Sequence, residues 1–233
     1  MSTLTQRGYL AGEDTNALMR GVYNWMTIGL LVSGLTAYSV SHSPQMLHIL
    51  FGNPYMIWVL FAIELGLVVA ISVAINKISV DGARILFLLF SFIDGLTFAS
   101  IFLVYTETSI ATTFFIASAT FGVMSLYGYF TDSDLTSWGK LLFIALIGII
   151  IALVVNFFLK SSQFEFIISV IGIVVFVGLT AYDTQKIKEM SEQMASEGDV
   201  NIAKMAIIGA LTLYLDLINM FIFMLELFGN QRR

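Results

Sequence analysis

The sequence predicts an all-α integral membrane protein with seven transmembrane helices, and three observations carry that reading. Hydrophobic residues make up 58% of the 233 positions and charged residues only 12%, with a mean hydropathy of +0.89. A soluble domain carries about 25% charged residues, so lipid rather than water must face most of this exterior. Apolar runs of about 20 residues, enough to cross ~30 Å of hydrocarbon, recur along the chain. They cover Gly21–Ser41, Tyr55–Asn76, Ile85–Val104, Ser109–Phe130, Leu141–Leu159, Phe166–Gln185 and Met205–Phe228. Finally, Tyr23, Trp25, Tyr55, Trp58, Tyr129 and Trp138 fall near the ends of those runs, where the bilayer interface favours amphipathic rings.

The first 20 residues are polar, with neither an apolar core nor a small-residue cleavage site. They read as an exposed cytoplasmic tail rather than a cleaved signal, which leaves residues 21–230 as a single seven-helix domain. In the first span Gly29, Ser33 and Ala37 recur every four residues, a spacing that lets helix backbones approach closely. Ser118, Gly122 and Ser125 line one side of the fourth. Turn signals at Pro54, Asp81-Gly82 and the polar stretch Thr131–Gly139 separate neighbouring spans. The loop after the first span carries His42 and His48, with no third ligand near them. The longest predicted loop is Lys186–Lys204, rich in Glu, Ser, Gly and Lys, and solvated. No long internal repeat is visible.

Charge asymmetry sets the orientation, because Lys and Arg favour the cytoplasmic side. With the N-terminus inside, Arg7, Arg20, Lys77, Arg84, Lys140, Lys186, Lys188 and Lys204 lie inside, against Lys160, Arg232 and Arg233 outside. Seven crossings then place the C-terminus in the periplasm. A re-entrant last segment is the alternative, and it would bring the two terminal arginines inside.

Five acids, Glu64, Asp94, Asp183, Asp216 and Glu226, fall within predicted spans, while no Lys or Arg lies well inside one. An ionised carboxylate at mid-bilayer costs about 2.5–3.5 kcal/mol even on the lenient insertion scale. It must therefore be protonated, hydrogen-bonded in a polar crevice, or offset by a cation. Asp216 lies near the middle of the last span, with Thr212 and Asn219 at helical spacing on one face. Asp183 lies near the inner end of the sixth span, where Lys186 can pair with it. The two spans are consecutive and antiparallel, and at 1.5 Å per residue the two aspartates come within about 10 Å in depth. As a pair they cannot both be ionised cheaply, so they would share a proton in acid and lose it as pH rises. The vacated pair would offer calcium a weak, transient site, since that ion takes 6–8 oxygens. Asp94, between Ser91 and Thr97, reads equally as pathway lining or as an interhelical bond. Glu64 sits among Leu60, Phe61, Leu67 and Val68 and is expected to be neutral. Glu226 reads as a solvated end residue.

Two segments that hold the aspartates, Gly178-Leu-Thr-Ala-Tyr-Asp183-Thr-Gln-Lys186 and Leu211-Thr-Leu-Tyr-Leu-Asp216-Leu-Ile-Asn219, closely resemble motifs of the Bax inhibitor-one family, in a bacterial branch. Tyr23-Asn-Trp-Met, Met124-Ser-Leu-Tyr-Gly-Tyr129 and the Phe228-Gly-Asn end extend the resemblance over nearly the whole chain. The resemblance implies a seven-helix fold in which a central helix is surrounded by the others, and a pH-sensitive calcium leak. It assigns Asp183 and Asp216 to a pH-sensing, gating pair and Glu64 to a second-span acid. It also implies a basic latch partner near the inner end of the second span, where this chain has Lys77. Asp94 stands where relatives are usually neutral, and Glu226 where they often carry Arg.

The leading functional reading is therefore a pH-gated calcium leak in the bacterial inner membrane. Glu64, Asp94, Thr212 and Asn219 would line its accessory polar pathway, and Lys77 or Lys186 would serve as latch base. Its partners are the lipid bilayer, calcium ions and protons, with no cofactor. The alternative is a non-channel regulatory protein that modulates a membrane-anchored AAA protease or a stress response, for which the N-terminal tail matters more than the acids. A proton-coupled transporter stays open, with no solute indicated. Enzymatic chemistry is not expected, because cysteine is absent and no zinc-ligand pair, nucleophile elbow or phosphate loop occurs. A net charge of −5 without a basic stripe argues against nucleic acid. The last span has no interior lysine for a retinal Schiff base.

Overall fold

The computed structural model describes residues 3–75, 77–197 and 202–232, with side chains placed for 15–75, 77–191 and 202–232. Nine helices occur among the described residues: α1 (Thr3–Ser41), α2 (Pro44–Phe51), α3 (Met56–Ala74), α4 (Val80–Phe98), α5 (Ile101–Val104), α6 (Glu107–Phe130), α7 (Thr136–Leu159), α8 (Ser162–Glu197) and α9 (Ile202–Phe228).

Local chemistry explains most of the boundaries. Ser43 caps α2 by accepting from Met46 N, with Pro44 pre-set at the first turn. Ser79 accepts from Gly82 N to start α4, and Thr106 accepts from Ser109 N to start α6. Asp81 and Glu107 sit in those first turns, where the helix dipole favours an acid. α7 ends on Lys160 in the left-handed conformation (φ 50°), its N–H bonded to Asn156 O at 2.7 Å.

Six stretches among the described residues are long and apolar enough to cross a membrane: α3, α4 with α5, α6, α7, α8 to Ser191, and α9. The expected first span lies in α1 and is not among them. Asn24, Tyr23 and Trp25, together with the serines and glycines that suit it for close packing, dilute its hydropathy. The third span is broken, because the turn from Thr97 O to Ser100 N interrupts the helix between α4 and α5. Asn76, the expected end of the second span, lies outside the described residues. The predicted loop Lys186–Lys204 is also corrected, since α8 runs on to Glu197 and α9 begins at Ile202. α2 was read as loop. The predicted tail is helical from Thr3, and Thr15, Leu18 and Met19 within it are buried.

The chain divides into two compact units. The first contains α1 to α5 and the start of α9, up to Tyr214. Within it α1 and α4 run parallel, as contacts that advance together along both helices require. Arg84 lies over the Trp25 ring at 5.6 Å, and Trp25 meets Phe87 edge-on. Further along, Gly29 leaves room for Phe87 and Ser91, and Gly95 abuts the Ser33 backbone. Tyr38 then reaches Phe102. The predicted Gly29–Ser33–Ala37 stripe is thus a packing seam. Val40, Leu50, Leu60, Leu96 and Ala99 close one end of this unit as an apolar cluster.

The second unit contains α6, α7, α8 to Glu189 and α9 from Leu215. Gly128 of α6 packs directly on the backbone of Ala181 in α8, while Gly122, the glycine singled out in the sequence, has nothing within 4 Å of its Cβ position. α9 ends beside the start of α6: Thr106 N donates to Asn230 O, Asn230 N donates to Ser109 Oγ, and Tyr105 pairs with Gln231. α9 is uninterrupted over 27 residues. It is also the most buried candidate span, at 72% against 6% for α7, and so the one whose side chains are reserved for protein rather than lipid.

Candidate functional site

The acidic residues form two groups, one in each unit. In the second unit α8 brings Asp183 and α9 brings Asp216 close enough for the Asp183 charge to act directly on Asp216. Asp216 is buried, and its Oδ2 has no hydrogen-bond partner among the described residues. A buried polar oxygen with no partner is costly. Asp183 is more open. Lys186 acts on it through space, but its ammonium lies over the Tyr182 ring, 5.7 Å from the centroid, and makes no ion pair with Asp183 among the described residues.

The residues that follow Asp183 fix this part of α8. Thr184 Oγ1 lies 3.0 Å from Ser125 Oγ of α6. Gln185 Oε1 accepts from Leu135 N and its Nε2 donates to Ser133 O, both at 2.9 Å. Lys188 Nζ donates to Tyr129 O and sits over that ring. Asp183 is therefore set on a stretch of α8 clasped to α6 and the α6–α7 turn. Sequence reading missed Gln185, although it sits in the quoted motif; an amide near a span end is the one signal available.

Thr212 and Asn219 both bond to their own helix backbone. Thr212 Oγ1 donates to Ile208 O and Asn219 Nδ2 to Leu215 O, each spending its proton on its own helix one turn back. Glu226 is exposed and accepts from Ser169 Oγ of α8 at 2.7 Å. It lines a crevice of about 440 Å³ together with Lys160 and Glu165. Tyr105 stands near both acids; burial first, then the charges of Glu226 and Glu165, push its phenol up from the usual tyrosine value.

In the first unit Asp94 makes an interhelical bond. Tyr214 Oη of α9 is hydrogen-bonded to Asp94 Oδ2 of α4 and, at 2.7 Å, to Ser33 Oγ of α1. All three residues are buried. Phe87 and Phe90 meet the Tyr214 ring edge-on at 6.2 and 5.5 Å. Glu64 of α3 accepts from Thr97 Oγ1 of α4, and its charge acts on Asp94. Tyr214 was not singled out in the sequence, where an aromatic in an apolar run reads as core. Lys77 is exposed in the α3–α4 turn and makes no ion pair among the described residues.

No three His, Asp or Glu side chains among the described residues converge as metal ligands. The Asp183–Asp216 pair supplies at most four carboxylate oxygens, short of the six to eight that calcium takes. Two carboxylates alone therefore do not fill a calcium shell.

Comparison with known proteins matches residues 15–233 to the family described as inhibitor of apoptosis-promoting Bax1. The inner membrane protein YbhL of Escherichia coli strain K12 is 48% identical over 214 residues, 92% of each chain. An uncharacterized protein of Borreliella burgdorferi is 44% identical over 217 residues, 93% of each chain. The uncharacterized protein RP147 of Rickettsia prowazekii is 42% identical over 230 residues, 99% of this chain and 96% of its own. The matched segment takes in both aspartates and all six apolar spans, and the chain is a membrane protein of the Bax inhibitor family.

Proposed function

We propose that the protein is a passive, pH-sensitive cation leak of the bacterial inner membrane, with calcium as the permeant ion and the Asp183–Asp216 pair as its proton-controlled gate. The observation that carries the reading is Asp216 itself: buried, one carboxyl oxygen without a partner, and the Asp183 charge acting on it. A carboxyl pair in an apolar setting changes its net charge with one proton, and that change alters the attraction between the two helices. The inner-membrane location is taken from the name of the 48% identical relative.

In this reading the chain crosses seven times. α1 runs parallel to α4 from Trp25–Arg84 to Tyr38–Phe102, and a helix that accompanies a membrane span along its length crosses with it. The Lys and Arg bias then puts the N-terminus in the cytoplasm and the end of α9 in the periplasm. With no nucleophile or metal-ligand set at the acid pair, the proposal is transport rather than catalysis.

The test is calcium-dye flux in proteoliposomes between about pH 6 and pH 8, where an exposed Asp is ionised throughout. Wild type is expected to change its flux across this range. Asp183→Asn with Asp216→Asn is expected to abolish that response. Unchanged flux and pH response in the double variant would refute the gate, and absence of flux in wild type would refute the leak.

A further inference from the structure

We propose that Asp94 is held as a neutral carboxylic acid whose proton pins α9 to α1 and α4 through Tyr214, a proton-binding site additional to the Asp183–Asp216 pair. The case is a count of hydrogens. Three contacts link four oxygens in a row: Asp94 Oδ2 to Tyr214 Oη, Tyr214 Oη to Ser33 Oγ at 2.7 Å, and Ser33 Oγ to Gly29 O at 2.8 Å. Each contact needs one hydrogen. The phenol and the serine hydroxyl supply two, and the Gly29 carbonyl supplies none. The third can come only from Asp94. The protons then run in one direction, with Asp94 O–H donating to Tyr214, Tyr214 O–H to Ser33, and Ser33 O–H to Gly29 O. An ionised Asp94 would leave one of these close oxygen pairs with no proton between them.

The surroundings point the same way. Asp94, Ser33 and Tyr214 are 5%, 2% and 0% exposed. The titratable groups that face Asp94 are Glu64 from α3 and Tyr214 from α9, while α1 presents only the neutral Ser33. No cation acts on it among the described residues, so a charge buried there would be uncompensated. Phe87 and Phe90 leave the Tyr214 ring little room to turn away. Asp94 is thus a positioning residue that sets the rotation of α9 at Tyr214, two positions before Asp216 on the same helix.

The test is infrared spectroscopy of the full chain in lipid bilayers between about pH 6 and pH 8, where a solvated Asp is ionised. The expected result is a protonated-carboxyl band that persists across the range and is lost in Asp94→Asn. The Asn amide still donates to Tyr214, so Asp94→Asn should keep the wild-type Tm, whereas Asp94→Leu should lower it by several degrees. A spectrum with no Asp94-dependent acid band overturns the proposal, as does an Asp94→Asn variant whose Tm falls as far as that of Asp94→Leu. Should the Leu variant fail to fold, the band and the Asn variant still decide. The band is read with Asp183 and Asp216 intact, so its absence would leave the acid-pair gate standing.

Discussion

Gly128→Ala is the substitution whose consequence can be worked most directly from the geometry. A Cβ at Gly128 would lie 2.1 Å from Ala181 O, 2.8 Å from Ala181 C and 2.9 Å from Ala181 Cα. An ordinary C···O contact is about 3.3 Å or more, so α6 and α8 must part by ~1 Å. The obstructing atoms are backbone, with no rotamer to move to. Ser125–Thr184 and the Gln185 clasp hold α8 against this displacement. Overpacking of this kind costs about 1–3 kcal/mol. Gly122→Ala on the same helix meets nothing within 4 Å, and so keeps only the helix-propensity gain of about 0.5–1 kcal/mol. That gain is common to both variants, so the difference between them is the packing cost, about 2 kcal/mol or ~4–8 °C in Tm at this chain length. Thermal unfolding of both variants in one detergent, followed by size-exclusion recovery, measures it. Equal Tm values would refute the close α6–α8 approach. A Gly128→Ala chain that is destabilised but keeps wild-type pH-dependent flux would instead separate this seam from gating at Asp183, two residues from the contact.

Gln185→Ala removes both hydrogen bonds to the α6–α7 turn and leaves buried backbone groups unpaired, an expected loss of about 1–3 kcal/mol; limited proteolysis should then cut near Ser133–Leu135, and an unchanged cleavage pattern would refute the clasp. Tyr105 should titrate above the free phenol value of about 10, because burial, Glu226 and Glu165 all favour its neutral form. The sign follows: the stability this group contributes is complete below the unfolded pKa and is lost as pH rises through the folded one. The tyrosinate absorption of wild type minus Tyr105→Phe gives the midpoint, which Glu226→Gln should lower; a midpoint at or below about 10 would refute the placement.

All seven expected spans rest on apolar runs, and six of them are helices long and apolar enough to cross, because the bilayer imposes its length requirement on each run separately. The first is different. Its Gly29 and Ser33 earn their place by packing on Phe87, Ser91 and Gly95, and that same smallness lowers the hydropathy that would have marked it. The extension of α8 beyond the expected span is harder to read for the opposite reason: Lys186–Glu197 is mostly polar, with only Ile187, Met190 and Met194 at helical spacing, and polarity does not tell a solvated helix from a loop. The start of α2 was legible, since Ser43-Pro44 is a cap followed by a first-turn proline; it was overlooked inside a short connection. For the acids, spacing along α9 suggested that Thr212 and Asn219 attend Asp216, yet both donate to their own helix backbone. Spacing says which side chains share a face, not where their protons go.

The sequence alone determined the membrane setting, the helical class and the presence of unpaired acids within the spans, because hydropathy, capping and the cost of a buried charge are local to a segment. The tertiary structure decided which oxygens those acids meet. Asp94 finds Tyr214 120 positions away and Asp216 feels Asp183 on a neighbouring helix. Gly128, rather than Gly122, sets the closest helix approach. Such partners depend on which faces of distant helices come together, and that is fixed by packing summed over the fold rather than by any one stretch of chain.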